Sequence, residues 1–262
     1  MRYKLAEDAK PQLKLLLLAT IITIALYFIP YLGIITYPIR LFVTFIHESS
    51  HVLAALLTGG SVQSLTISSD GSGVVYSAPS NLFGALITSS AGYLGSTFFG
   101  VLLLFLIRKA VSAKKILYGS AAFIAVMTLL FSVLTPLLNI FSLHVSFLTI
   151  GFTILAGAFL TAGLFALAKY GSERTANFAV AFLAIQCLLN AVSDLATVFL
   201  INAPFSGMDI QNDAANMANA TGLPSFMWVL IWIGISILMI SVGLRLYAVS
   251  QKAKQHDLPF ED

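Results

Sequence analysis

The chain has 262 residues, of which 58% are hydrophobic and only 10% charged, with a formal net charge of +3. A soluble domain carries about a quarter charged residues, so this composition excludes one and describes a polytopic membrane protein. The small positive charge is scattered over the ends of apolar stretches, where the positive-inside rule places it, and no nucleic-acid partner is expected.

In chain order, the apolar run from about Leu13 to Ile35 lacks a small-residue cleavage pattern and reads as a retained membrane helix, loosened near its end by Pro30 and Gly33. A second segment, from about Ile39 to Leu57, ends at the helix stop Gly59-Gly60. The texture then changes. Ser61 to Ala78 is rich in Ser, Thr and Gly, with Val62, Leu65, Ile67, Val74, Val75 and Tyr76 flanking Asp70-Gly71-Ser72-Gly73, which predicts a β-hairpin with a glycine turn. Further helical segments are expected over about Leu82–Ile107, Ile116–Leu138, Leu143–Ala168, Ala176–Ile201 and Ser225–Tyr247. Between the last two, the polar stretch Asp213 to Ala220 suits a short surface helix.

The expected fold is therefore an all-α polytopic membrane protein with six to seven transmembrane helices and a small β-hairpin after the second. It reads as one integral membrane domain over 1–262: an extra N-terminal helix in 1–37, the second helix, hairpin and following helix in 38–107, and the remaining helices in 108–262. The lone Cys187 lies in an apolar run and reads as a small core residue.

Basic residues bear on topology. Arg108, Lys109, Lys114 and Lys115 crowd one connection, Lys169 and Arg174 another, and Arg245, Lys252 and Lys254 follow the last segment. These sets fall on one side, which should be cytoplasmic, while the connection from Asn202 to Pro224 has no Lys or Arg and faces out. Arg2, Lys4, Lys10 and Lys14 ask for the same side as the other basic sets, which seven full spans forbid. Either the rule fails at this end, or an early element, the second helix or the hairpin, enters and leaves by one face.

Ionisable residues at membrane depth are costly and mark function by default. Away from segment ends these are His47, Glu48, His51 and Asp194, with His144 near a segment start. Three of them form His47-Glu48-Ser49-Ser50-His51, an H-E-x-x-H motif. At about 100° per residue the two histidines share one helical face, so both imidazoles reach one ion, and Glu48 stands where it can take a proton from a water on that ion. Zinc is the expected metal, one ion, and a catalytic zinc needs a third protein ligand. Asp194, the other intramembrane carboxylate, is the first choice; Asp213 in the outward loop is the second, and Asp209 shares that loop. The small residues Ala85, Ser89, Gly92, Gly95, Ser96 and Gly100 form a stripe expected to serve close helix packing.

The run from His47 to Gly60, continued by Ser61-Val62-Gln63-Ser64-Leu65-Thr66-Ile67, resembles the site-2 protease family of intramembrane zinc metallopeptidases, in its compact bacterial branch without a PDZ domain. Ala91-Gly92-Tyr93-Leu94-Gly95 and the stretch from Asn212 to Pro224 are similar to that branch as well. The resemblance implies His47 and His51 as zinc ligands, Glu48 as the base, and a later Asp ligand that relatives carry in a Leu-Asp-Gly setting. Here Asp194 is followed by Leu195, a departure from that pattern.

The function expected is hydrolysis of a peptide bond in or beside a substrate's transmembrane segment. The hairpin residues Val62, Leu65, Ile67, Val74 and Tyr76 would clamp the unwound substrate. The expected partners are a transmembrane protein or peptide and the lipid bilayer, in a multi-pass protein of the cell membrane. The alternative is a metal-binding membrane protein without hydrolytic activity, either a pseudoprotease regulator or a transporter.

Overall fold

The computed structural model describes residues 17–18, 20–22, 33–142, 145–204 and 210–248. The predicted first segment, Leu13 to Ile35, falls largely outside these residues, as do His144 and Asp209. The second predicted segment is α1, Gly33–Leu57, which begins six residues before the expected Ile39. It stops where Gly59 turns left-handed, at φ 78°, and the Gly60 N–H donates to the Ala55 carbonyl at 2.8 Å.

The hairpin follows as β1, Ser61–Ile67, and β2, Gly73–Ala78, paired antiparallel with an irregularity between Val62 and Ser64. Its turn is closed by Asp70, whose carboxylate accepts from the Ser72 N–H at 2.9 Å and the Ser72 hydroxyl at 2.7 Å, and by Gly71 at φ 85°. Ser80 at the hairpin's base donates to the Thr58 carbonyl at 2.6 Å, whereas the tip accepts from Tyr37, to Ser69 at 2.6 Å, and from Thr44, to Gly71 at 2.9 Å. The hairpin thus runs back along α1 and leaves by the end at which it entered.

Among the described residues, five helices are long and apolar enough to cross a membrane: α2 (Leu82–Arg108), α3 (Ala113–Leu138), α4 (Phe147–Tyr170), α5 (Glu173–Asn202) and, after the short α6 (Asp213–Thr221), α7 (Ser225–Ala248). The chain is a multi-pass membrane protein. Side chains cap four of these helices: Asn81, Ser146, Ser172 and Asn212 each accept a first-turn N–H of α2, α4, α5 and α6. In α3 the backbone widens to a π-helical stretch over Thr128–Leu134, next to Pro136, which has no N–H to give.

That stretch serves β1. Ser132 donates to the Leu65 carbonyl at 2.7 Å, and Thr153 of α4 accepts from the Ile67 N–H at 2.8 Å, so side chains close the edge of β1 that β2 leaves open. Among the described residues β2 pairs in the sheet only with β1.

α1 and α2 lie antiparallel. Phe42 meets Phe99, Ser50 lies against Gly95, and Thr58 lies against Gly84. A Cβ on Gly100 would meet Leu188 of α5 at 2.8 Å, so small residues on α2 do permit close helix approach. The Lys114–Glu173 ion pair, at 3.7 Å, and the seat of Gly243 on Val101 put Arg108–Lys115, Lys169, Arg174 and Arg245 at one end of the bundle.

Candidate metal centre

Two turns before its glycine stop, α1 aims His47 and His51 at α2. The bare backbone of Gly92 receives them: a Cβ there would collide with Nε2 of both imidazoles and lie 2.5 Å from His47 Cε1. Gly92 is therefore more than packing. It is the cradle in which both imidazole nitrogens converge.

His51 is fixed from behind. Its Nδ1 donates to the Thr88 carbonyl at 2.6 Å, which fixes the ring and directs Nε2 at the cradle. The His47 ring lies edge-on to Tyr93, 4.7 Å between centroids, and Tyr93 stacks on Trp232 at 5.3 Å.

α6 brings the third group. Its buried Ala214 and Met217 join Tyr93, Leu195, Val198, Val229 and Trp232 in a hydrophobic cluster, and Thr221 accepts from the Trp228 indole at 3.0 Å. These contacts hold the first turn of α6 over the α1–α2 seam, where Asp213 Oδ2 lies 3.6 Å from His47 Nε2 and 3.4 Å from His51 Nε2. One ligand atom from each of His47, His51 and Asp213 lies within 4.8 Å of the other two.

Burial works to raise the Asp213 carboxyl, but the facing His51 and His47, as charges and hydrogen-bond partners, outweigh it and hold the group well below the usual carboxylate range. Two imidazole nitrogens, one carboxylate oxygen and an open side toward a cavity make a donor set that fits a catalytic divalent metal.

Of the two carboxylates weighed as third ligand, the structure thus brings Asp213 to the histidines. Asp194, on α5, is not part of this group. It lines a separate cavity of about 290 Å³ behind His47 and Glu48, with Arg40, Thr44, Asn190 and Thr197. The reason is register: Leu195, its neighbour, turns into the cluster beneath α6, so Asp194 projects from another face of α5.

Glu48 is buried, 5% exposed, and packs on the second hairpin strand, where a Cβ on Gly73 would lie 2.5 Å from its Cγ and Oε1. Glu48, His47, His51 and Asp213 all line a cavity of about 800 Å³ together with Val74, Val75 and Ser77 of β2. Of the five hairpin residues expected to clamp substrate, Val62, Leu65 and Ile67 are buried in the main core, because β1 is the inner strand. Val74 lines the cavity, and Tyr76 is partly exposed on the same strand.

A family model described as Peptidase M50B-like matches residues 17–243. The chain belongs to that family. The match agrees with membership of the site-2 proteases and makes this M50B-like chain a member of a membrane metallopeptidase family. Comparison with curated proteins and with solved structures returned no match.

Sequence reasoning passed over the cradle at Gly92, the seat at Gly73 and the Thr88 carbonyl. The first had a signal, since Gly92 lies in Ala91-Gly92-Tyr93-Leu94-Gly95, a stretch already singled out. A backbone carbonyl has none.

Proposed function

We propose that this protein is a zinc endopeptidase that hydrolyses a peptide bond within or beside a transmembrane segment of its substrate, in the cell membrane. The observation that carries the reading is the shared cavity, in which residues of the outer hairpin strand, a buried carboxylate and a metal-binding group face one space.

β2 binds the substrate. A transmembrane helix must unwind to expose a peptide bond, and the extended segment adds to the sheet beside its outer strand, β2, by main-chain hydrogen bonds. Its backbone then runs past Gly73, where Glu48 is seated. His47, His51 and Asp213 would hold the ion at the wall of this cavity. When bound, zinc supplies a Lewis-acid centre that lowers the pKa of a water and polarises the scissile carbonyl.

Glu48 takes the proton from the attacking water and returns it to the departing amine. Its position on the wall beside the histidines, off the metal-binding group itself, suits a base and not a ligand. The rival reading, metal binding without hydrolysis, has no use for a buried carboxylate in that place.

Glu48→Gln separates the two. Assayed on reconstituted single-span substrates, the variant should retain zinc and lose cleavage; cleavage at the wild-type rate would overturn the proposal.

A further inference from the structure

The polar cavity behind His47 is not used by the chemistry above, and it contains the carboxylate left without a role. Asp194 sits on a membrane-spanning helix, where an ionisable side chain without a purpose is costly. Among the described residues its carboxylate has no hydrogen-bond or ion-pair partner within contact distance, and it faces a cavity of about 290 Å³ that His47 also lines.

The two histidines differ in a way that this cavity explains. His51 donates from Nδ1 to a backbone carbonyl, the usual support of a metal-ligating imidazole. His47 Nδ1 has no hydrogen-bond partner among the described residues. A ligating histidine almost always gives its second N–H to a carboxylate, a carbonyl or water, because that bond sets the tautomer and the ring orientation. The cavity is wide enough for several waters, at about 30 Å³ each, and Asn190, Thr44 and Thr197 offer them further polar partners.

We propose that Asp194 is the outer carboxylate of His47, acting across a cavity water, and is not a metal ligand. It accepts from a water that in turn accepts a hydrogen bond from His47 Nδ1–H, and so favours the tautomer whose Nε2 lone pair faces the metal. Asp194 is then a positioning residue, whose loss weakens metal binding with all three ligands still present.

The inference rests on the metal site proposed above, and zinc affinity by chelator competition on the full chain in detergent tests both separately. Wild type that holds no zinc would sink the metal site itself, and this inference with it. If wild type binds, the isosteric Asp194→Asn should bind about 10- to 100-fold more weakly, the usual cost of losing an outer partner. Asp194→Glu keeps the carboxylate in a cavity with room for one more methylene, and should return most of that affinity. Asp194→Asn with wild-type affinity, or Asp194→Glu as weak as Asp194→Asn, would overturn the inference while leaving His47, His51 and Asp213 in place. Zinc abolished altogether in Asp194→Asn would also overturn it, since that is the mark of a direct ligand.

Discussion

Adding one methyl group at Gly92 tests how the metal site is built. In Gly92→Ala the new carbon would stand 2.5 Å from His47 Cε1 and nearer still to Nε2 of both histidines, the atoms that face the metal. That is at least roughly 1 Å inside a relaxed carbon contact of about 3.5–4.0 Å. Neither ring has a simple way out, because His51 is tied to the Thr88 carbonyl and His47 is backed by Tyr93. Overpacking of this kind costs about 1–3 kcal/mol. If the strain is relieved by moving the imidazoles, zinc affinity falls by about 5- to 150-fold, at 1.4 kcal/mol per factor of ten. The assay is chelator competition, with Gly163→Ala as the control, since a Cβ there has nothing within 4 Å. Gly92→Ala with wild-type zinc affinity would refute the cradle.

Gly73→Ala presses in the same way on Glu48, with a Cβ 2.5 Å from its Cγ and Oε1, and should lower kcat while zinc content holds; a change in zinc and not in turnover would contradict that assignment. The depressed Asp213 carboxyl predicts a pH dependence in metal-free protein. Its folded value lies below the unfolded one, so its contribution is present above the ordinary carboxylate range near 4 and is lost as pH falls through the depressed value. Metal-free wild type should therefore exceed Asp213→Asn in thermal midpoint at pH 5, with the gap closing in stronger acid; a gap that widens in acid would contradict the sign.

Much of this arrangement was legible along the chain because it is local. Apolar runs of membrane length mark α2 to α5 and α7, the spacing of His47 and His51 puts them on one helical face, and Asp70-Gly71 marks the turn of the hairpin. The hairpin's depth was not legible. Alternation marks the strands, but only Ser132 and Thr153, brought from two later helices, make β1 the inner strand and bury Val62, Leu65 and Ile67.

The carboxylate facing the histidines is the feature least visible in the sequence, for a physical reason. The cost of charge in hydrocarbon directs attention to Asp194, whereas Asp213 reaches the site from an outward loop by way of α6. What seats α6 is burial of Ala214 and Met217 against Trp232 and Tyr93, contacts between segments far apart in the chain that no spacing reveals.

The claim on which the rest depends is that one metal ion lies between α1 and α6. Anomalous diffraction at the zinc edge from metal-loaded crystals tests it directly. A single peak about 2.0–2.2 Å from Nε2 of His47, Nε2 of His51 and a carboxylate oxygen of Asp213 is the result predicted. A peak bonded to Asp194, or none beside the two histidines, would contradict it.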